Sequence, residues 1–175
     1  MTAHAKLSAS GAHRWLSCLG SVEAEKGIKN SSSIAADEGV AAHELAEIVL
    51  ERGGNCHALI GKVLPETNTH TVTEEMADYV QQYIDYVTAT PGTQFYEERV
   101  DFSEWVPEGF GTSDVISIDN ETLHVIDLKY GKGVRVDADE NPQGMLYALG
   151  AYSEYGMIYG FKTVKIHIVQ LTPRS

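Results

Sequence analysis

Between residues 73 and 89 the apolar positions Met76, Val80, Tyr83, Ile84 and Val87 recur at steps of three and four. That period predicts a helix with one buried face. Thr71 and Glu74 stand at capping-box spacing ahead of it, two glutamates fill its first turn, and Pro91-Gly92 stops it. Ile34 to Arg52 is rich in Ala, Leu, Glu and Val and ends at Gly53-Gly54, a helix C-terminal signal, with Ser31-Ser32-Ser33 as its lead-in. Ser8 or Ser10 can cap a first short helix carrying Trp15 and Leu16. Residues 53–70 read as loop, with room for one short helix over 58–64.

After Pro91 the pattern changes. Strands are expected over 94–102, 112–118, 123–128 and 163–171, where aromatic and β-branched residues gather. Asp119-Asn120 fits a two-residue hairpin turn between the second and third. Asn141-Pro142 places an N-cap before a proline at the first helical position, and that helix is expected to reach Tyr155 and stop at Gly156. The order from residue 73 is helix, three strands, helix, strand. Three strands on short turns make an antiparallel meander, and a strand returning through a helix pairs parallel with its neighbour. The expected fold is α/β: a mixed β-sheet flanked by helices. Residues 1–70 form an N-terminal helical lobe and 71–175 the core of one integrated domain.

The chain has 175 residues, 43% hydrophobic and 22% charged, enough for a sizeable core. No stretch approaches the roughly 18 apolar residues of a membrane span, and the start, Met1 to Lys6, lacks the apolar core of a secretory signal. Two cysteines, Cys18 and Cys56, make neither a disulfide framework nor a four-thiolate site. A cytosolic location is the expectation. Thirteen basic against 25 acidic residues give a net charge of −12, which repels a polyanion at long range. A nucleic-acid role then requires a bound cation and a local basic patch to reverse the field.

The informative chemistry lies between Asp114 and Lys129. Asp114 opens one strand; Asp127 and Lys129 close the next. Pairing through the turn brings both acids to one end of the sheet, and the two-residue spacing sets Asp127 and Lys129 on one face. Converging carboxylates repel unless a cation sits between them. Their oxygens suit Mg²⁺ or Mn²⁺, which can polarise a phosphate and acidify a bound water. A lysine alongside can orient that water or deprotonate it. The plain alternative is a surface hairpin with a solvated Asp–Lys pair. His43, in line with Gly39 and Glu47 on an Ala-rich helix, is a metal ligand or a surface histidine paired with Glu47. Gln143 and Tyr147 share one helical face, either as site residues or as a polar face with a core tyrosine. His4, His13, His57, His70, His124 and His167 show no ligand spacing and are expected to be solvent-facing or structural. Asp137, Asp139, Glu140 and Asn141 place negative charge ahead of a helix. Gly131-Lys132-Gly133 is too short for a phosphate-cradling loop, but Lys132 and Arg135 make a basic rim suited to a DNA phosphate.

Asp114 and Asp127-x-Lys129 on adjacent strands resemble the motif of the PD-(D/E)XK nuclease superfamily. Gln143-x-x-x-Tyr147 resembles the extra motif of its RecB-like, Cas4-like branch. Gly39-x-x-x-His43 resembles the helix that supplies that branch's histidine ligand, and Leu7-Ser8-Ala9-Ser10 with Cys18 resembles its opening. More narrowly, residues 111–152 resemble the phage and prophage family DUF2800. The resemblance runs from residue 7 to about residue 152. It implies a core of order α-β-β-β-α-β and a divalent-metal-dependent DNA nuclease, an exonuclease of phage or prophage recombination in the bacterial cytoplasm. The implied ligands of Mg²⁺ or Mn²⁺ are His43, Asp114, Asp127 and the Leu128 carbonyl. Lys129 would position or activate water, Gln143 and Tyr147 would brace the site or contact the DNA backbone, and Glu97 would be an accessory acid. Partners would be DNA, and a recombination protein or a second copy. The iron–sulfur members carry three further C-terminal cysteines, so no Fe–S cluster is expected here, and Cys18 reads as a buried small hydrophobe. Ser113 stands where a proline is frequent. Two other functions fit the same residues: a catalytically silent DNA-end-binding or partner-recruiting module, and a metal hydrolase of small phosphate esters.

Overall fold

A computed structural model describes residues 5–26, 34–67, 70–131 and 133–172. Its elements are α1 (Ala12–Ser17), α2 (Ser21–Ala24), α3 (Ile34–Arg52), a 3-10 turn (Cys56–Leu59), α4 (Glu74–Ala89), β1 (Thr93–Asp101), β2 (Phe110–Asp119), β3 (Thr122–Tyr130), α5 (Pro142–Tyr159) and β4 (Thr163–Leu171). The four strands form one sheet in the order β1-β2-β3-β4. β1, β2 and β3 pair antiparallel. Early in β3 and β4, His124 meets His167; at their ends the Gly131 N–H donates to the Leu171 carbonyl. The two strands therefore advance together, and the sheet is mixed. The fold is α/β, as the pattern of the sequence predicts.

Contacts gather the chain into two units. The first holds Met1–Asn30, Gly92–Asp127 and Asp137–His167; the second holds Ser31–Pro91, Leu128–Val136 and Ile168–Ser175. A boundary at residue 70 does not follow this division. Ala9, Ala12 and Trp15 are buried in the same core as the sheet and α5, whereas α4 packs on α3.

In the second unit the predicted face of α4 is buried: Met76, Val80, Tyr83, Ile84 and Val87. Ala41, Ala42, Leu45, Ala46 and Val49 of α3 are buried too. The α4 cap is Thr73, whose side chain accepts from the Met76 N–H at 3.1 Å; Thr71 lies two residues too early. The 3-10 turn starts ahead of the expected 58–64 because Asn55 accepts from the His57 N–H at 2.8 Å and fixes its start. Cys56 is fully buried, and burial pushes its thiol up to about 11. Cys18 is exposed, so the small-hydrophobe role belongs to Cys56. Ser31-Ser32-Ser33 and His4 lie outside the described residues. Among the described residues no helix is long and apolar enough to cross a membrane.

In the first unit α5 lies on the sheet face formed by Val100, Ile116, Ile118, Leu123 and Val125. Ser8 supports the approach to α1 by accepting from the Gly11 N–H at 3.2 Å, while the cap position itself, Gly11, has no side chain to offer. Asn141 caps α5 as expected, accepting from the Gly144 N–H at 2.9 Å, and Pro142 follows it. The helix runs through Gly156 and ends at Gly160, whose left-handed backbone (φ 59°) closes it. A helical glycine at 156 costs only about 1 kcal/mol, too little to stop a helix whose cap lies one turn later. Gly150 sets the spacing of α5 on β1: a β-carbon there would lie 2.8 Å from Val100 Cβ and 3.3 Å from the Asp101 carbonyl oxygen. Neither atom can move without moving the strand. Gly150→Ala is expected to destabilise the chain by about 1–3 kcal/mol, read as a lower denaturant midpoint at unchanged slope.

The β2–β3 turn differs by one residue from the expected one. Asp119 pairs with Thr122, so Asn120 and Glu121 form the two-residue loop, with Asn120 at φ 51°. Farther along, His124 Nδ1 and His167 Nε2 stand 3.0 Å apart with rings nearly parallel, a structural pair as expected. Burial lowers the pKa of both; Lys165 adds to this for His124, and His124 and then Lys165 for His167. The unfolded chain protonates both rings near 6.5, where the folded chain still holds them neutral. Their contribution to stability is therefore complete above that pH and is lost as pH falls through the lower folded values. Melting curves from about pH 7 to about pH 5 should show this loss, and His124→Leu should flatten it.

Candidate functional site

The corrected turn places the acids more closely than the sequence suggests. Val115 pairs with Ile126, so the next positions, Asp114 and Asp127, stand directly opposite each other. On the other side, Tyr96 pairs with Val115 and Glu98 with Ser113, which sets Glu97 opposite Asp114. Glu97, Asp114 and Asp127 thus form a row across β1, β2 and β3. A carboxylate oxygen of Glu97 lies within 4.8 Å of one from Asp114. Asp127 is 2% exposed; the other two are half-buried.

Glu97 reaches this row through an unusual backbone. Its φ is +46°, in the left-handed region, in the middle of a strand. Phe95 and Val100 both contact the same core although five residues apart, a parity that regular two-residue alternation forbids. The turn of the backbone at Glu97 absorbs the odd step. A strained non-glycine residue beside converging acids is the kind of feature that marks a functional position.

The α5 side of the row comes from Gln143 and Tyr147. Gln143 Nε2 donates to Asp127 Oδ1 at 2.9 Å and stands 3.4 Å from the Tyr147 hydroxyl. Tyr147 is 6% exposed. Burial raises its pKa; the Gln143 hydrogen bond acts against this, and the charges of Asp114, Asp127 and Glu97 raise it further. It stays a neutral phenol. Gly111 makes room for the ring, since a β-carbon there would lie 2.8 Å from Tyr147 Cε1. Through Gln143 this pair is hydrogen-bonded to Asp127.

The remaining candidates belong to the second unit. Leu128 is buried and Lys129 half-buried, both on β3 immediately after Asp127. Lys129 follows Asp127 by two, the spacing that keeps side chains on one face. His43 is half-buried on α3. One turn earlier, a β-carbon on Gly39 would stand 3.8 Å from the Tyr130 carbonyl oxygen, so this side of α3 runs past the end of β3. Burial, then Glu75, Glu38 and Tyr79, push the Tyr130 hydroxyl up to about 12. Arg135 is exposed. Its neighbours are pinned by Gln170, which accepts from the Val136 N–H at 2.9 Å and donates to the Val134 carbonyl at 3.1 Å. Lys132 lies outside the described residues.

The Glu97 and Asp114 carboxylates, within 4.8 Å of each other and with Asp127 next in the row, repel one another unless they share a proton or a cation. Their donor set is all oxygen, which matches a hard divalent ion such as Mg²⁺ or Mn²⁺ in chemistry. Glu97 is the member most easily missed in the sequence. It lies in an ordinary-looking strand, and its place in the row follows from the β1–β2 register and its own backbone.

No solved structure matches the chain. A family model described as "Protein of unknown function (DUF2800)" matches residues 4–175, and the chain belongs to the DUF2800 family.

Proposed function

We propose that this chain is a divalent-metal-dependent DNA nuclease of the PD-(D/E)XK type, acting as an exonuclease in phage or prophage DNA processing. The observation that carries the reading is the row Glu97, Asp114 and Asp127 with Lys129 two residues farther along the same strand. The element order α4-β1-β2-β3-α5-β4 supports the same core.

In this reading Asp114, Asp127 and Glu97 hold the ion, with His43 as nitrogen ligand and the Leu128 carbonyl as a further donor. A bound Mg²⁺ or Mn²⁺ supplies Lewis acidity toward the scissile phosphate and makes a coordinated water more acidic. Gln143 fixes the Asp127 carboxylate, and Tyr147 closes the buried side against solvent. Lys129 orients the attacking water and offsets the negative charge that grows on the phosphate. The water oxygen bonds to phosphorus, the bond to the sugar oxygen breaks, and the water's proton is delivered to the departing oxygen. Arg135, exposed beyond the end of β3, would receive a flanking phosphate. The cation would also offset most of the charge of the acid row in a chain carrying −12 overall.

The test is incubation of end-labelled linear DNA and closed circular DNA with Mg²⁺ or Mn²⁺. Degradation of the linear substrate with sparing of the circle is the expected result; both remaining intact contradicts the reading. The net charge of −12 weighs against strong DNA affinity of the chain by itself, which suits a second reading, a catalytically silent module that recruits a partner or binds DNA ends. That module would retard linear DNA in a gel without shortening it.

A further inference from the structure

Within the first unit a cavity stands beside α1 and α2, with a volume of about 340 Å³. It is lined by three cations, Lys6, Arg14 and Lys26, against one anion, Glu25. With Glu23, which pairs Lys26, counted beside Glu25, three positive charges minus two leave a surplus of one, in a chain whose total is −12. Cations concentrated at one cavity of so acidic a chain call for a ligand of opposite sign.

The groups at this cavity suit a phosphate. Arg14 Nε is held by Glu25 Oε1 at 2.7 Å, which fixes the guanidinium and leaves its four other N–H groups as donors. Lys26 is paired with Glu23, which does not line the cavity. Lys6 makes no ion pair among the described residues. Ser21 also lines the cavity; its Oγ is buried and has no hydrogen-bond partner among the described residues. A desolvated hydroxyl is costly unless something in the cavity meets it. Hydroxyl, guanidinium and ammonium donors together match the oxygens of a tetrahedral anion. The volume exceeds what a bare phosphate needs and falls at the low end of the range of about 300–1,000 Å³ for small-molecule sites. The cavity therefore has room for an organic group attached to the phosphate, and Trp15 lines it beside the ion-binding side chains.

We propose that this cavity binds a phosphate monoester of the nucleotide class. The terminal phosphate of a DNA strand and a free mononucleotide present the same chemistry to it. The proposal does not rest on the acid row, whose residues do not line the cavity.

The test uses the full chain carrying Trp105→Phe, so that Trp15 alone reports by fluorescence. It is titrated with inorganic phosphate, adenosine monophosphate, and a short oligonucleotide with either a 5′-phosphate or a 5′-hydroxyl. The expected result is a saturable Trp15 response to the phosphate-bearing probes and a much weaker one to the hydroxyl oligonucleotide. Lys6→Glu should weaken binding about tenfold or more, the loss of one charged hydrogen bond, with an unchanged melting curve because the side chain is exposed. Ser21→Ala should weaken it as well, and Asp127→Asn should leave it in place. Tighter binding of the phosphorylated strand than of the mononucleotide identifies a strand end as the source, and the reverse order a free nucleotide. No saturable response, or binding indifferent to both Lys6→Glu and Ser21→Ala, overturns the proposal.

Discussion

Asp127→Asn is expected to reduce metal-dependent DNA cleavage by about three orders of magnitude while the chain stays folded. The several kcal/mol that a metal ion contributes to a phosphoryl-transfer transition state set this size. Asparagine keeps the shape of the side chain and an oxygen able to accept from Gln143 Nε2 in the 2.9 Å contact that holds Asp127 Oδ1. What it removes is one negative charge from the row with Glu97 and Asp114. In the absence of divalent ions that removal relieves repulsion, so the variant should melt no lower than the parent. Adding Mg²⁺ should raise the melting temperature of the parent, because an ion bound to the folded state alone stabilises it by mass action, and should raise that of the variant far less. Loss of cleavage with the Mg²⁺-dependent rise intact would place the ion elsewhere.

Lys129→Met is the second large effect. The substitution keeps the aliphatic stem of a half-buried side chain and removes its ammonium group. A positioned group that orients or activates water contributes about 10²–10⁴-fold, so cleavage should fall by that factor. The carboxylate row is untouched, so the Mg²⁺-dependent rise in melting temperature should persist. This separates Lys129 from Asp127: one variant loses cleavage and ion binding together, the other loses cleavage alone. A Lys129→Met chain that cleaves at the parental rate would remove the lysine from the site.

The helices and strands were largely legible because the apolar period is strong where both faces of an element differ. The α4 face from Met76 to Val87 and the strand from Thr163 to Leu171 follow directly from spacing. The end of α5 was not, because two glycines four residues apart compete for the cap and only Gly160 adopts the left-handed backbone. The β2–β3 turn was displaced by one residue because Asp119 and Asn120 both suit a turn, and pairing of Asp119 with Thr122 decides between them. That single step is what sets Asp114 squarely against Asp127. Glu97 joins them through a left-handed backbone that has no signature in composition or period. The attachment of α1 to the sheet's core was hidden for a related reason: Ala9, Ala12 and Trp15 are too few to show a period. The His124–His167 contact depends on strand order, which local spacing does not encode.

The proposed activity requires that the row of Glu97, Asp114 and Asp127 hold a divalent cation. The most direct measurement is a crystal of the chain soaked in Mn²⁺ and recorded at the manganese absorption edge. An anomalous peak among the three carboxylates, lost in Asp127→Asn crystals, is the predicted result. A peak located away from the row, or none there at saturating Mn²⁺, would contradict it.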